Sequence, residues 1–238
     1  KRRPLIIGHR GSPAESPENT MASFRQSLDQ GAEALELDVR LSSDGVPVVI
    51  HDERLARVTG KPGTVGRRTL KHLRTLDAGS WFDPAFQGER LPTLEEALEE
   101  LCQRVPINVE MKFRRGDPAP LTRAVAAVIR RLGLERRILV SSFRHDALPI
   151  MQAETPGILT APLYHAGMGA PGRDALDLLG QQPLREDEPG VGEFPWRGRL
   201  MCLHHSLVTP ALARALAERQ GGVGGGTVAP PGDMGRPP

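Results

Sequence analysis

Charged residues recur at two-residue spacing in two strand-like segments. Glu36 and Asp38 alternate with apolar residues in the stretch LELDV, and Glu110 precedes Lys112 by two positions in NVEMK. Residues two apart on a β-strand point to the same face, so each pair would present its charges together. Buried carboxylates are costly unless a cation compensates them, and hard divalent ions such as Mg²⁺ and Ca²⁺ prefer oxygen ligands. The spacing therefore predicts that Glu36, Asp38 and Glu110 hold one divalent cation.

Basic residues occur just after the carboxyl ends of two other strand-like segments. His9 and Arg10 follow the apolar run LII, and His51 follows PVVI. Two histidines beside a cation offer a general acid and a general base, while Arg10 and Lys112 supply positive charge suited to a phosphate-like substrate. A single strand-end histidine is more often a structural group, so the prediction of a catalytic site depends on the whole set.

The segments that carry these residues alternate between strand-like and helix-like patterns. We predict strands at residues 5–7, 34–40, 46–50, 107–111, 138–143, 159–163 and 200–203, and helices at 20–30, 94–102, 121–132, 147–153 and 210–220. This alternation is typical of an α/β protein with a mainly parallel sheet, and six or seven such units favour a TIM (β/α)8 barrel over an open doubly wound sheet. In such barrels the catalytic groups lie at the carboxyl ends of the strands, where the polar residues above are found.

Composition narrows the functional classes. A chain of 238 residues is long enough for a single barrel domain spanning residues 1–238. The 31 basic and 29 acidic residues nearly balance, which argues against a nucleic-acid partner. No apolar run approaches the roughly 18 to 20 residues of a membrane span, and no secretory signal is visible. Cys102 and Cys202 lack ligand-like spacing, so we predict free thiols in a reducing, cytoplasmic location.

At these residues the sequence resembles the glycerophosphodiester phosphodiesterase family. The resemblance is carried by HRG at 9–11, PENT at 17–20, ELDV at 36–39, DGxPVVxHD at 44–52 and EMK at 110–112. It continues through LxRxTG at 55–60, SSF at 141–143 and HHSLVT at 204–209, and so covers residues 5 to 220.

The resemblance implies a TIM barrel that hydrolyses glycerophosphodiesters to glycerol 3-phosphate and an alcohol, with residues 52–92 as a small insertion. Carried over by position, the resemblance assigns metal binding to Glu36, Asp38 and Glu110. It assigns acid–base catalysis to His9 and His51, and phosphate binding to Arg10 and Lys112. It also implies a mechanism in which a metal-engaged glycerol hydroxyl attacks phosphorus while one histidine takes its proton. The other histidine protonates the leaving alcohol, and water then opens the cyclic phosphate. Which histidine does which stays open, as does the choice between Mg²⁺ and Ca²⁺.

The resemblance is lost at the carboxyl end. Residues 221–238 contain seven glycines and four prolines among 18 positions, a composition that resists regular structure. We expect coil there with at most one short strand between Val223 and Val228, and therefore a barrel that is incomplete or irregular at this end. The Pro/Gly-rich residues 166–198 are expected to form a loop excursion.

Two alternatives to a glycerophosphodiesterase stay open at this point. A lysophospholipase D-like or phosphoinositide-cleaving relative would need an apolar rim, for which Trp81, Phe82 and Phe86 are the available aromatic cluster. A non-catalytic or folding-impaired ligand-binding homologue would follow from missing barrel elements. The partner predicted by the leading hypothesis is a small glycerophosphodiester; its headgroup and the oligomeric state are left open.

Overall fold

The computed structural model describes residues 5–165, 193, 199–203 and 221–225. The strands in this part of the chain are β1 Ile7–His9, β2 Ala34–Leu41, β3 Pro47–Val49, β4 Ile107–Met111, β5 Ile138–Ser142, β6 Leu159–Tyr164, β7 Arg199–Leu203 and β8 Gly221–Gly225. The helices are α1 Met21–Asp29, α2 Ala56–Thr59, α3 Leu70–Leu73, α4 Leu94–Leu101, α5 Ala119–Leu132 and α6 Ala147–Glu154, with short 3₁₀ turns at Val65–Arg67 and Pro84–Phe86.

The strands form one sheet in the order β1-β2-β4-β5-β6-β7-β8, with all neighbours parallel. β3 pairs antiparallel with β2 outside this path. α4 precedes β4, α5 connects β4 to β5, and α6 connects β5 to β6. This alternation is the (β/α) arrangement of a TIM-type barrel. Within the described residues no pairing joins β8 to β1, so the predicted α/β barrel is confirmed together with its irregular carboxyl end.

The two faces of β2 divide the molecule into a core and a site. Leu35, Leu37 and Val39 are fully buried and belong to the main hydrophobic cluster, which they share with α1, α4, α5 and α6. Glu36 and Asp38 alternate with them and face the opposite side of the sheet. The apolar half of this alternation holds the sheet against the helices, and the acidic half is left for the barrel interior.

Helices α1 and α4 begin at residues whose side chains satisfy free backbone N–H groups. The Thr20 hydroxyl accepts a hydrogen bond from the Ser23 amide at the start of α1. Thr93 and Glu96 form a reciprocal capping box at the start of α4. α5 begins two residues before its predicted start because Pro118 and Pro120 suit the first turn, and it ends at Gly133 in the left-handed conformation.

The segment between β3 and α4 has a core of its own. It contains α2, α3 and both 3₁₀ turns, and its buried residues pack beneath Val48 and Ile50. The members of this second hydrophobic cluster are Val48, Ile50, Leu55, Val58, Val65, Leu73, Leu76, Ala78 and Leu91. The seven members from Leu55 to Leu91 lie within the insertion predicted at 52–92, and they pack against Val48 in β3 and Ile50 just after it.

One strand is shifted by two residues from its prediction, whereas each end of the other six predicted strands lies within one residue of its predicted position. The sequence predicts the first strand at 5–7, whereas β1 runs from Ile7 to His9 because its partner β2 begins at Ala34, which pairs with Ile7. His9 therefore lies within the strand and pairs in register with Glu36, rather than following the strand.

Several predictions fall outside the described residues: the 210–220 helix, the 204–209 motif, most of the 166–198 excursion, and residues 226–238. β8 overlaps the short strand expected between Val223 and Val228. In the part of the chain that the structure covers, every helix is too short or too polar to cross a bilayer.

Candidate active site

The three predicted carboxylates meet on the inner face of the sheet. The register pairs Asp38 of β2 with Glu110 of β4, and Glu36 lies one inward position earlier on β2. One carboxylate oxygen from each residue lies within 4.8 Å of the others. The exposed fractions of Glu36, Asp38 and Glu110 are only 6%, 0% and 8%. Three acids at this spacing and depth could hold a metal ion.

Two cations lie against this acidic triad, and they compensate it unequally. Arg10 Nε is 3.0 Å from Asp38 Oδ2, and Lys112 Nζ is 3.2 Å from Asp38 Oδ1. Lys112 Nζ also contacts Glu110 Oε1. Glu36 Oε2 accepts the Arg10 backbone N–H at 3.1 Å, while Glu36 Oε1 is buried with no hydrogen-bond partner among the described residues. Two cations for three carboxylates leave room for a further positive charge beside Glu36.

The pKa shifts of the triad follow this uneven compensation. Burial and the neighbouring charges of Asp38 and Glu110 raise the pKa of Glu36 well above its ordinary value. Burial also raises the pKa of Glu110, against the opposing effect of Lys112. Burial acts to raise the pKa of Asp38 too, but Lys112 and Arg10 together outweigh it and lower that pKa. The charge that most needs a cation is therefore that of Glu36.

Asn19 fixes Asp38 from the loop that follows β1. Its Nδ2 donates to Asp38 Oδ2 at 2.9 Å, and its Oδ1 accepts the Asp38 backbone N–H at 3.2 Å. Asn19 and Arg10 both have left-handed backbones, with φ of 58° and 55°, a conformation that non-glycine residues adopt at sites held by surrounding contacts. Asn19 belongs to the PENT motif at 17–20, which was assigned no role at the site; Thr20 caps α1, and Asn19 bonds to Asp38.

The two predicted histidines lie beside the triad in different settings. Both side chains are 31% exposed. His9 Nε2 is 3.7 Å from Glu36 Oε2, and burial together with the charge of Arg10 lowers the pKa of His9 to about 4. His51 Nδ1 bonds to Asp52 Oδ1 at 2.7 Å, which leaves Nε2 as the nitrogen available to a substrate. His51 is close enough to interact electrostatically with both His9 and Asp38, so both rings belong to one site.

A second layer of ion pairs, without an assigned role in the sequence analysis, holds this site together. Arg57 of α2 donates from Nη1 and Nη2 to the two Glu18 oxygens at 2.8 and 2.7 Å, and from Nε to Asp52 Oδ2 at 2.6 Å. Glu18 Oε1 also accepts from Arg10 Nη1 at 3.3 Å. Burial opposes the ionisation of Glu18, but the hydrogen bonds from Arg57 and the charge of Arg10 lower its pKa. The network links the setting of Arg10 to that of His51, and the motifs PENT, HD and LxRxTG, which carry the family resemblance, were the available sequence signal.

Comparison with known proteins identifies the family. Residues 9–182 match the sequence model of the glycerophosphoryl diester phosphodiesterase family. The chain belongs to this family. The resemblance drawn from the motifs at 9–11, 17–20, 36–39, 44–52 and 110–112 is therefore confirmed.

Relatives of this glycerophosphoryl diester phosphodiesterase family member span most of its length. A glycerophosphodiester phosphodiesterase from Caldanaerobacter subterraneus is 37% identical over 175 residues, covering 73% of this chain and 72% of that protein. A phosphodiesterase from Oleispira antarctica, solved with the product sn-glycerol-3-phosphate, superposes with a TM-score of 0.78 at 29% identity, covering 94% of this chain and 85% of that one. The Agrobacterium tumefaciens glycerophosphodiester phosphodiesterase gives a TM-score of 0.71 at 31% identity, over 93% and 85%.

These findings make the protein an enzyme of the phosphoric diester hydrolase class. The aromatic cluster of the insertion is present, with Trp81 and Phe82 in edge-to-face contact and Phe82 and Phe86 likewise, at centroid distances of 5.8 Å. Arg57 lies 5.9 Å from the Trp81 ring centroid, so the cluster packs on the ion-pair network. No observation on the described residues favours the lipid-directed or non-catalytic alternatives.

Proposed function

We propose that this glycerophosphoryl diester phosphodiesterase family member hydrolyses glycerophosphodiesters to glycerol 3-phosphate and an alcohol, using one Mg²⁺ or Ca²⁺ ion. The observation that carries the proposal is the buried triad of Glu36, Asp38 and Glu110, flanked by two cations and two histidines at one end of a parallel sheet. The unpartnered Glu36 Oε1 and the all-oxygen donor set fit a hard divalent cation. When bound, the ion supplies Lewis-acid polarisation of the phosphate oxygens.

Arg10 and Lys112 are the residues proposed to hold the phosphate. Each lies beside Asp38 with the charged end of its side chain at the triad, and each has N–H donors beyond those used by carboxylates. A phosphodiester placed against them would rest next to the carboxylate triad. Their charges would offset the negative charge that grows on the phosphate oxygens in the transition state.

His9 and His51 are proposed to transfer the protons. The glycerol hydroxyl adjacent to the phosphate attacks phosphorus while one ring accepts its proton, and the bond to the leaving alcohol breaks as the other ring protonates that oxygen. Water then opens the cyclic phosphate, which yields glycerol 3-phosphate. Because Asp52 engages His51 Nδ1, the proton at that ring moves through Nε2. His9 offers a neutral ring at neutral pH because its pKa is lowered to about 4.

The products decide whether this is the reaction. Purified protein with Mg²⁺ or Ca²⁺ should convert glycerophosphoethanolamine to sn-glycerol 3-phosphate and ethanolamine in equal amounts. This follows because the glycerol hydroxyl, rather than an alcohol of the headgroup, attacks phosphorus. Formation of phosphoethanolamine and glycerol would contradict the proposal, since it requires cleavage of the other phosphate ester bond.

A further inference from the structure

An arginine-lined cavity of about 620 Å³ lies on the insertion side of the site. Its side chains include four arginines and only one acid, and we call it the arginine cleft. The charged residues that line it are Arg54, Arg67, Arg68, Arg114 and Glu53. The acid is already engaged, since Arg114 Nε lies 2.5 Å from Glu53 Oε1. Glu53 therefore does not neutralise the charges of Arg54, Arg67 and Arg68.

Arg54, Arg67 and Arg68 have no carboxylate within ion-pair distance among the described residues. Exposed arginines elsewhere on the described surface are commonly paired: Arg25 with Glu100, Arg104 with Asp29, Arg123 with Glu154 and Arg131 with Glu95. The Arg68 guanidinium also packs closely against the backbone of Gly63, where an added Cβ would lie 3.2 Å from Arg68 Nε. Uncompensated positive charge gathered in one concave region attracts anions and raises their local concentration.

The cleft adjoins the proposed phosphate site. Glu53 and Arg114 line both the cleft and a second cavity of about 260 Å³, whose wall includes Lys112. Glu53 follows His51 by two residues and Arg114 follows Lys112 by two, so each lies at most about 7 Å along the chain from a proposed site residue. A substrate whose phosphodiester contacts Lys112 could therefore extend its other end toward the arginines.

We propose that the arginine cleft binds a second phosphate carried by the leaving alcohol of the substrate. The inference rests on the proposed function and specifies its substrate class: glycerophosphodiesters whose headgroup is itself a phosphate ester, in preference to neutral or cationic headgroups. Guanidinium groups suit this ligand because they bind phosphate oxygens with paired hydrogen bonds and keep their charge at all physiological pH values.

A matched pair of compounds tests the cleft. Bis(glycerophospho)glycerol contains two phosphodiesters, so its leaving alcohol carries a phosphate, whereas glycerophosphoglycerol contains one and its leaving alcohol is glycerol. The wild-type protein should favour the first compound by about tenfold in kcat/KM, the effect of one well-placed charged contact. Added salt should reduce this ratio, because the arginines are exposed.

Variants localise the preference. The triple variant Arg54→Gln, Arg67→Gln, Arg68→Gln should bring the ratio close to one, and Arg67→Gln alone should lower it in part. Arg104→Gln is the matched control, because it removes the same charge from the segment before β4, at the amino end of the strands. Its ratio should stay at the wild-type value. A wild-type ratio near one, or a ratio that survives in the triple variant, would overturn the proposal.

Binding measurements separate this proposal from the proposed reaction. In a His51→Ala background with Ca²⁺, calorimetry should show tighter binding of bis(glycerophospho)glycerol than of glycerophosphoglycerol, and equal binding once the three arginines are replaced. If the wild-type protein hydrolyses neither compound, the proposed reaction alone is overturned. If the two compounds bind equally, the proposed role of the arginine cleft alone is overturned.

Sedimentation with phosphatidylglycerol vesicles distinguishes a lipid surface from a soluble phosphate. Arginine-dependent sedimentation combined with equal binding of the two soluble compounds would also overturn the proposal.

Discussion

At the scale of single residues, Glu36 is the carboxylate with the least compensation. Its raised pKa means that, in metal-free protein, its contribution to stability is present at low pH and lost as pH rises from the usual glutamate range through the raised value. Glu36→Gln removes that loss, so the variant in chelator should melt at or above the wild-type temperature with a flatter pH dependence. The exposed substitution Glu99→Gln serves as the control.

The same variant should lose its response to the cation. Ca²⁺ at about 100 times its Kd should stabilise wild-type protein by about 2.7 kcal/mol, because the ion binds the folded state. Glu36→Gln should show little of this increase and little turnover. A variant that melts lower than wild type in chelator and is still stabilised by Ca²⁺ would show that Glu36 is not a ligand.

His9 and His51 are predicted to affect the rate more than metal binding. His9→Ala and His51→Ala should each lower kcat by roughly 10² or more, the scale of general acid–base catalysis. The Ca²⁺-dependent shift in melting temperature should persist in both, since neither ring is a proposed ligand. If either substitution abolishes that shift, the histidine concerned coordinates the ion and its assigned role is wrong.

Arg57 is predicted to act by positioning rather than by contact with substrate. Arg57→Lys keeps the charge but cannot bond Glu18 and Asp52 together, so His51 loses its fixed orientation. We expect kcat to fall about tenfold with little change in KM, and the pH–rate profile to shift because Asp52 no longer holds one geometry at His51 Nδ1. Arg123→Lys, which alters an exposed pair with Glu154, is the control. An unchanged pH profile would indicate that Arg57 only stabilises the fold.

At the scale of elements, local patterns predicted the strands and helices better than the contacts between them. β4 begins and ends at its predicted residues, and α4 starts at its predicted residue, because strand alternation and capping are encoded by neighbours in the sequence. The two-residue shift of β1 depends on its register with β2, which no local pattern contains. The roles of Asn19 and Arg57 were missed for the same reason: Asn19 bonds to Asp38, 19 residues away in the chain, and Arg57 joins nearby Asp52 to Glu18, 39 residues away.

The loop between β1 and α1 offers a test of how elements position the site. A Cβ at Gly11 would lie 2.6 Å from the Ser23 carbonyl carbon, against the backbone of α1, and the φ of Gly11 is +88°. Gly31 has a similar φ of +94° but nothing within 4 Å of its Cβ position. Gly31→Ala should therefore cost about 1–2 kcal/mol from backbone strain alone. Gly11→Ala should cost more and also lower turnover, because Arg10 must move with the loop; equal melting temperatures for the two variants would contradict this.

At the scale of the whole molecule, the sequence predicted the barrel class and the strand ends that form the site. It did so because alternating strands and helices constrain the topology, and because charges buried on one strand face are costly unless opposite charges compensate them. It could not predict which acid is left uncompensated. Nor could it predict that arginines without a carboxylate partner among the described residues line a cavity adjoining the one walled by Lys112, since both features depend on side chains brought together by the register and the insertion. The single-domain organisation of residues 1–238 and the cytoplasmic location stay predictions.

The central claim is that hydrolysis at this site depends on a divalent cation held by the triad. The most direct measurement is release of sn-glycerol 3-phosphate from glycerophosphoethanolamine by protein dialysed against chelator, before and after addition of Mg²⁺ or Ca²⁺, with Glu36→Gln in parallel. We predict no release in chelator, recovery of the wild-type protein with one or both ions, and no recovery of the variant. Full activity of the dialysed wild-type protein in excess chelator would contradict the account.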